Sequence, residues 1–305
     1  MWRYIYRRIL LALATIFIVA TFTFFLMNLV PGGPFMSEKA VSPAARAALE
    51  AKYGMDKPLF QQYLTYMGGA LHGDFGESLK QRGRTVSSII FSKFPVSARI
   101  GIISATWAII FGVILGCLAA TKRGKFLDHF ISVFATLGIA VPSFVICTLL
   151  LYFFGAKWKL LPTHGITSWK NYIMPVIALS FYPTAYIMRI MRSSMLDVMG
   201  QDYMRTARAK GVKPVIILFK HALRNAILPV VTYAGPMIAY TLVGSFVVEK
   251  IFTIPGLGGE FISSIMNRDY TVIMGTTIFL ATLMIVINVI VDIVYKLIDP
   301  RITLK

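Results

Sequence analysis

Residues 205–229 read RTARAKGVKPVIILFKHALRNAILP. The stretch sets cations among apolar residues and lies between two strongly hydrophobic runs. Leu196, Met199, Tyr203 and Ala207 fall near one face of a helix that enters it. Gly211 is positioned as the left-handed residue just past that helix, a conformation only glycine adopts cheaply. Arg208 and Lys210 occupy the last turn, where cations complement the helix dipole. Lys213-Pro214 then opens a second helix, with proline in the first turn where no N–H is missed. That helix runs through His221 and Arg224 to Pro229. On the residues alone two readings stay open. One is a rigid helix–glycine–helix corner; the other is an amphipathic helix held on anionic lipid.

The surrounding chain decides what kind of protein carries this corner. Of 305 residues 57% are hydrophobic and 14% charged, with a mean hydropathy of +0.70. A soluble domain carries roughly a quarter charged residues. The apolar residues gather in blocks at about 9–30, 98–121, 129–156, 171–190, 226–248 and 271–298. Each approaches the roughly 20 residues that cross a bilayer core. Pro142 interrupts the third block, and Pro175 and Pro183 the fourth, which neighbouring helices tolerate in a membrane. Arg3, Arg7 and Arg8 before the first block resemble a signal peptide. The run from Ile9 to Val30 exceeds the 7–15 residues of a signal core, however, and ends in Pro31-Gly32-Gly33-Pro34. It reads as a retained membrane helix. The expected fold is therefore an all-α, polytopic membrane bundle of about six helices.

Basic residues orient the bundle. With the N-terminus in the cytoplasm, the inner segments hold Arg3, Arg7, Arg8, then Lys122, Arg123, Lys125, a dense set from Arg189 to Arg224, and Lys296, Arg301, Lys305. The short outer loops hold Lys157, Lys159, Lys170, Lys250 and Arg268. Both termini are then cytoplasmic, Ser78 is outside and Lys213 inside. The net charge of +18 reflects this topology and gives no support to nucleic acid as a partner. The chain divides into an N-terminal membrane helix (1–30), an extracytoplasmic loop (31–97), a core (98–298) and a cytoplasmic tail (299–305). Within the core lie the cytoplasmic loop 193–225 and an outer loop 249–270.

Local patterns fill in the loops. Ala44–Tyr53 reads as a helix ended by Gly54, and Asp56 and Pro58 start another that sets Leu59, Tyr63, Tyr66 and Met67 at helical spacing. HGDFGES (72–78) is turn chemistry, and its Asp74-Phe75-Gly76 matches a kinase motif only by coincidence. This loop either meets an external partner or caps the bundle. Trp169 and Tyr172 suit a membrane boundary. TIPGLGGEF (253–261) supplies a turn and then a short helix.

Catalytic patterns are missing from the sequence. His72, His129, His164 and His221 are scattered, no G-x-S-x-G occurs, and Cys117 and Cys147 fall inside spans as packing residues. No G-x-x-x-x-G-K-[ST] loop occurs to cradle phosphates. Asp292, with Lys296 one turn away on the same face, reads as half of a boundary ion pair rather than a mid-membrane acid, and Asn288 as serving helix packing or a ligand. A proton-coupled carrier is disfavoured by the scarcity of mid-membrane acids and histidines, and a membrane enzyme by the missing constellations.

The corner resembles the EAA loop of ABC-importer permeases, E-A-A-x-x-x-G followed by an apolar stretch ending in L-P. Arg205-Thr206-Ala207 stands where that motif has Glu-Ala-Ala, Arg208-Ala209-Lys210 follows, the glycine is Gly211, and L-P is Leu228-Pro229. The form R-T-A-R-A-K-G is typical of the dipeptide, oligopeptide and nickel branch. RRILLALATIFIVATFTFFLMNLVPGGPF, GDFGES, VPSFV, HALRNAILPVV, GSFVVEKIFTIPGLG, NRDYTVIMG and VDIVYKLIDPRI agree with it along nearly the whole chain. The chain is most similar to B-type membrane subunits of oligopeptide importers; dipeptide, glutathione and nickel importers are the near alternatives. The resemblance implies a type I ABC-importer permease fold, a second (C-type) permease subunit, two ATP-binding subunits and an external peptide-binding protein. ATP and Mg would sit on those partners, with no cofactor in this chain. Residues 205–211 would form the coupling helix that carries motion from an ATPase into the membrane.

Overall fold

The computed structural model describes residues 2–35 and 43–298. Fourteen α-helices are described: α1 Trp2–Leu29, α2 Pro43–Lys52, α3 Leu59–Leu71, α4 Val86–Thr121, α5 Phe126–Ala140, α6 Ser143–Leu150, α7 Lys170–Met199, α8 Asp202–Ala209, α9 Pro214–Ile216, α10 Arg224–Ala226, α11 Leu228–Val243, α12 Phe246–Ile251, α13 Leu257–Asn267 and α14 Tyr270–Ile298. Two π-helical turns, Leu151–Lys157 and Ile217–Leu223, continue α6 and α9. Among the described residues the one extended pairing is an isolated bridge between Glu77 and Thr85. The expected tail 299–305 and the Asp292–Lys296 side chains lie outside the described residues.

Among the described residues, five stretches are long and apolar enough to cross a membrane: Tyr6–Leu29, Val86–Thr121, Lys170–Met199, Leu228–Ile251 and Tyr270–Val291. The expected third span is not one straight helix. α5 and the helix from Ser143 to Lys157 meet at 107°. The break falls at Pro142: proline disfavours the helical region for the residue before it, and Val141 sits at φ −83°, ψ 123°. Six crossings result only if this broken pair counts as one. Pro175 and Pro183, by contrast, remain inside an unbroken α7. The second span also differs from expectation, since its helix starts at Val86 rather than near 98. Thr85 Oγ1 caps it by accepting the Ser88 N–H at 3.3 Å. Ser87, Ser88, Lys93 and Pro95 dilute the apolar signal of that first portion.

Small residues bring the spans together. A side chain at Gly112 would place its Cβ 2.6 Å from Ile187 Cγ2, and one at Gly116 would come 2.6 Å from Met191 Cβ. These two glycines, four apart on α4, let α7 approach closely, which is how helices associate in hydrocarbon. The central cluster adds Ala105, Ala108 and Ala120 of α4, Ile187, Met191 and Met195 of α7, and Val230 and Met237 of α11. α4 and α7 run in the same direction in this packing, and α11 runs against them.

The chain breaks fall at two opposite ends of the bundle. At one end, Tyr63 of α3 packs against Phe24 and Phe25 of α1, with ring centroids 5.4 Å apart in each pair, and shares a 2.8 Å hydrogen bond with Thr21. α2 and α3 form where expected, with Gly54 left-handed between them at φ +66°. Here Ser78, fully buried, donates to Asp269 Oδ2, while the Leu79 N–H donates to Oδ1 at 3.1 Å. Asp269 also accepts the Val272 N–H at 3.4 Å, so one carboxylate caps α14 and pins the 72–80 turn to it. Glu249, 3% exposed, accepts the Gly259 N–H at 2.8 Å in the first turn of α13. The opposite end carries the 122–125 turn and residues 200–227.

Candidate functional site at the 200–227 corner

The helix entering the corner is not continuous. α7 stops at Met199, Gly200 follows, and Gln201 is extended at φ −73°, ψ 152° before α8 begins. Leu196 and Met199 therefore do not share one helix with Tyr203 and Ala207. Glycine favours ending a helix rather than continuing it, and the chain turns there. What seats α8 is Met204, fully buried against Met195, Ile217 and Ala222. Ala207 is partly buried beside it, whereas Tyr203 is 43% exposed and its hydroxyl accepts a 3.1 Å hydrogen bond from Asn225 Nδ2.

The glycine corner forms. Gly211 is left-handed at φ +71°. Its N–H donates to the Arg208 carbonyl at 3.0 Å, and the Val212 N–H donates to the Ala207 carbonyl at 3.2 Å. These two bonds are the Schellman pattern, which satisfies helix-end carbonyls that would otherwise be orphaned. Lys213 at φ −55°, ψ 136° precedes Pro214, which opens α9. Instead of a regular helix to Pro229, the chain passes through the π turn Ile217–Leu223 and α10, and turns at Ile227. Single π turns of this kind are frequent at functional sites.

The structure gathers residues 205–211 on one short helix and its cap. Thr206 Oγ1 donates to the Asp202 carbonyl at 3.1 Å. Arg205 and Asp202 approach to 3.6 Å, but both are largely exposed, so the pair adds little stability. Arg208, Ala209, Lys210 and Gly211 face outward. Leu228 and Pro229 stand apart, exposed in the first turn of α11 beyond the break. Beside the cations the corner exposes Val215 (65%) and Phe219 (61%), four residues apart along the helical path. The surface is thus basic and apolar together, mounted on a base fixed by Met204, Ile217, Ala222 and Ala226.

Sequence reasoning missed Met204 and the Asn225–Tyr203 bond. It also missed the Asp128–Arg192 ion pair at the same end of the bundle, where Arg192 Nε lies 2.6 Å from Asp128 Oδ1. Two charges of opposite sign at the edges of apolar blocks were the available signal.

Residues 112–304 match the model of the family described as binding-protein-dependent transport system inner membrane component. Residues 1–100 match a second model, described as binding-prot-dependent transport system membrane comp, N-term. The dipeptide transport system permease protein DppB of Bacillus subtilis is 45% identical over 304 residues, covering 100% of this chain and 99% of that one. The oligopeptide transport system permease protein OppB of Haemophilus influenzae is 42% identical over 307 residues, covering 99% of each. Among solved structures, the inward-facing MetNI methionine ABC transporter superposes with a TM-score of 0.56 at 16% identity, over 69% of this chain and 96% of the other, a likeness of fold. The chain belongs to the family of binding-protein-dependent transport system inner membrane components.

Proposed function

We propose that this chain is one of two membrane subunits of an ATP-driven importer, forming half of the path for oligopeptides handed over by an external binding protein. The observation that carries the reading is full-length likeness, at 40–45% identity, to permeases named for dipeptide and oligopeptide transport. Dipeptides are the second reading, favoured by the 45% identity to a dipeptide permease. On this proposal ATP and Mg bind two partner ATPases, and a C-type permease subunit completes the membrane pair. The 200–227 end and both termini face the cytoplasm, and the end carrying α2, α3 and α13 faces outward.

The corner then serves as the coupling element. Arg205, Arg208 and Lys210 with Val215 and Phe219 offer charge and apolar area to a groove on an ATPase. Rigidity matters, because a helix passes on displacement only if its ends do not fray. The Schellman cap and the Met204 anchor supply it. Nucleotide closes the ATPases, the corner moves with them, and α7 and α11, which flank it in the chain, tilt.

The test is uptake into proteoliposomes holding this chain with its partner subunits and binding protein. Pentaalanine, dialanine and nickel are offered separately. ATP-dependent accumulation of pentaalanine supports the proposal. Accumulation driven by a proton gradient without ATP, or of nickel alone, overturns it.

A further inference from the structure

Much of the surface that the spans leave uncovered is aliphatic or phenylalanine: Leu13, Phe17 and Phe22 on α1, and Ile102, Ile110 and Ile114 on α4. Such a surface suits hydrocarbon, which offers polar groups no hydrogen-bond partner. One face is different. Where α7 meets α11, the rings of Tyr186 and Tyr233 lie 4.4 Å apart between centroids. Tyr182, one turn back on α7, stacks on Tyr186 at 6.1 Å. Tyr240, two turns beyond Tyr233 on α11, is 65% exposed, and Tyr182 is 46% exposed. None of these four hydroxyls has a hydrogen-bond partner among the described residues.

The spacing makes this one surface rather than four accidents. Positions 182, 186 and 189 follow i, i+4, i+7 on α7, and 233 and 240 are separated by two turns on α11, so each set shares a helix face. Tyr182, Tyr186 and Tyr240 fall in the middle third of their spans, away from the boundary belts where tyrosine is at home. Arg189, exposed, continues the face toward the 200–227 corner. Open hydroxyls at this depth are costly against lipid tails, and polar groups facing out at such depth mark transport paths.

The geometry points to the α7–α11 tyrosine face as the water-exposed wall of the translocation path and a transient binding site for peptide in transit. Tyrosine hydroxyls both donate and accept, so they pair with backbone N–H and C=O groups that every peptide carries. The rings offer apolar area to side chains of any kind, and Arg189 attracts the C-terminal carboxylate. Such a wall passes peptides with little regard to sequence. The inference rests on the importer reading of this chain.

The experiment uses the complex assembled with its partner permease and ATPases in lipid. Cysteine is introduced singly as Tyr182→Cys, Tyr240→Cys and, on the aliphatic surface, Ile110→Cys. A charged methanethiosulfonate, which modifies thiolates only in water, is applied, and the background from Cys117 and Cys147 is taken from the unsubstituted chain. Reaction at 182 and 240 is expected to be at least about tenfold faster than at 110, a difference of about 1.4 kcal/mol in access. Pentaalanine is expected to slow it. Rates at 182 and 240 equal to that at 110 overturn the wall, meaning lipid or a partner helix covers the face. Fast reaction unaffected by pentaalanine in a complex that imports pentaalanine overturns the peptide site. Pentaalanine uptake by the unsubstituted complex is measured in parallel. Reactive thiols without uptake would overturn the peptide cargo and leave the water-lined wall standing, whereas uptake with unreactive thiols would overturn the wall alone. Replacing Tyr182, Tyr186 and Tyr240 together with Phe keeps the rings and should raise the KM for peptide about tenfold. An unchanged KM overturns the role of the hydroxyls.

Discussion

Arg192 of α7 grips Asp128 of α5 with two parallel hydrogen bonds, Nε to Oδ1 at 2.6 Å and Nη2 to Oδ2 at 2.9 Å. Asp128 is 2% exposed and also accepts the Gly124 N–H at 2.9 Å. The fork fastens the first turn of α5 to α7 ahead of the bend at Pro142. Asp128→Asn leaves the guanidinium without its counter-charge. The expected loss is about 2 kcal/mol, below the range for a fully buried pair because the Arg192 side chain is 34% exposed. It is read as a lower thermal midpoint of the purified chain in detergent. Asp128→Asn with Arg192→Met should lose less than the two single losses added together. Strict additivity would show that the pair is not coupled.

Asp269 joins two segments 191 residues apart, since Ser78 donates to it while the carboxylate caps α14. Asp269→Ala should release the 72–80 turn without opening the central cluster of α4, α7 and α11. Hydrogen exchange is expected to rise sharply at Leu79 and Lys80, whose N–H groups the carboxylate receives at 3.1 and 3.4 Å, and to stay unchanged at Ile187 and Met191. Uniform acceleration across both regions would mean that the turn is not a separate unit.

Residues 205–229 reveal their glycine corner in the sequence because its signals are local: a cation-rich last turn, a glycine one step past it, and a proline three residues on. Helical spans are legible for a similar reason, as each is a run of neighbours. The bend at Pro142 is not legible, because Pro142, Pro175 and Pro183 all sit in apolar blocks and only packing separates them. α7 continues through both of its prolines, and Gly112 and Gly116 of α4 approach it between Thr184 and Met191. Met204 looks like any other apolar residue until Ile217 and Ala222 fold back on it. Asp128–Arg192 and Ser78–Asp269 are pairings over 64 and 191 residues, which no local pattern announces.

Burial of Ser78 changes how orientation is tested. A label at Ser78 would report on the Asp269 contact rather than on sidedness, because the residue is fully buried. Arg82 is exposed in the same segment and Lys213 is exposed at the corner. Arg82→Cys is expected to react with an impermeant maleimide on intact cells, and Lys213→Cys only after permeabilisation. The reverse pattern would invert the proposed topology, and with it the assignment of the corner to an ATPase.

Gly211 offers the sharpest test of the corner. Its backbone is left-handed at φ +71°, and a Cβ built there meets nothing within 4 Å. Any effect of substitution is therefore conformational rather than steric crowding. A β-carbon in this region costs roughly 1–2 kcal/mol, and asparagine tolerates it better than a branched residue. Gly211→Val should fray the end of α8 by breaking the Val212 to Ala207 bond, while Met204 and the membrane core stay in place. The protein should insert and accumulate normally, transport should fall sharply, and ATP hydrolysis by the assembled complex should lose its stimulation by loaded binding protein. Gly211→Asn should retain most of both activities. If the segment instead lies on anionic lipid, both glycine variants should transport normally. Neutralising Arg205, Arg208 and Lys210 together should then detach it from vesicles containing phosphatidylglycerol. Running all three variants in one reconstituted complex separates the readings: a loss graded Val over Asn assigns the corner to force transmission, and a loss confined to the charge variant assigns it to the membrane surface.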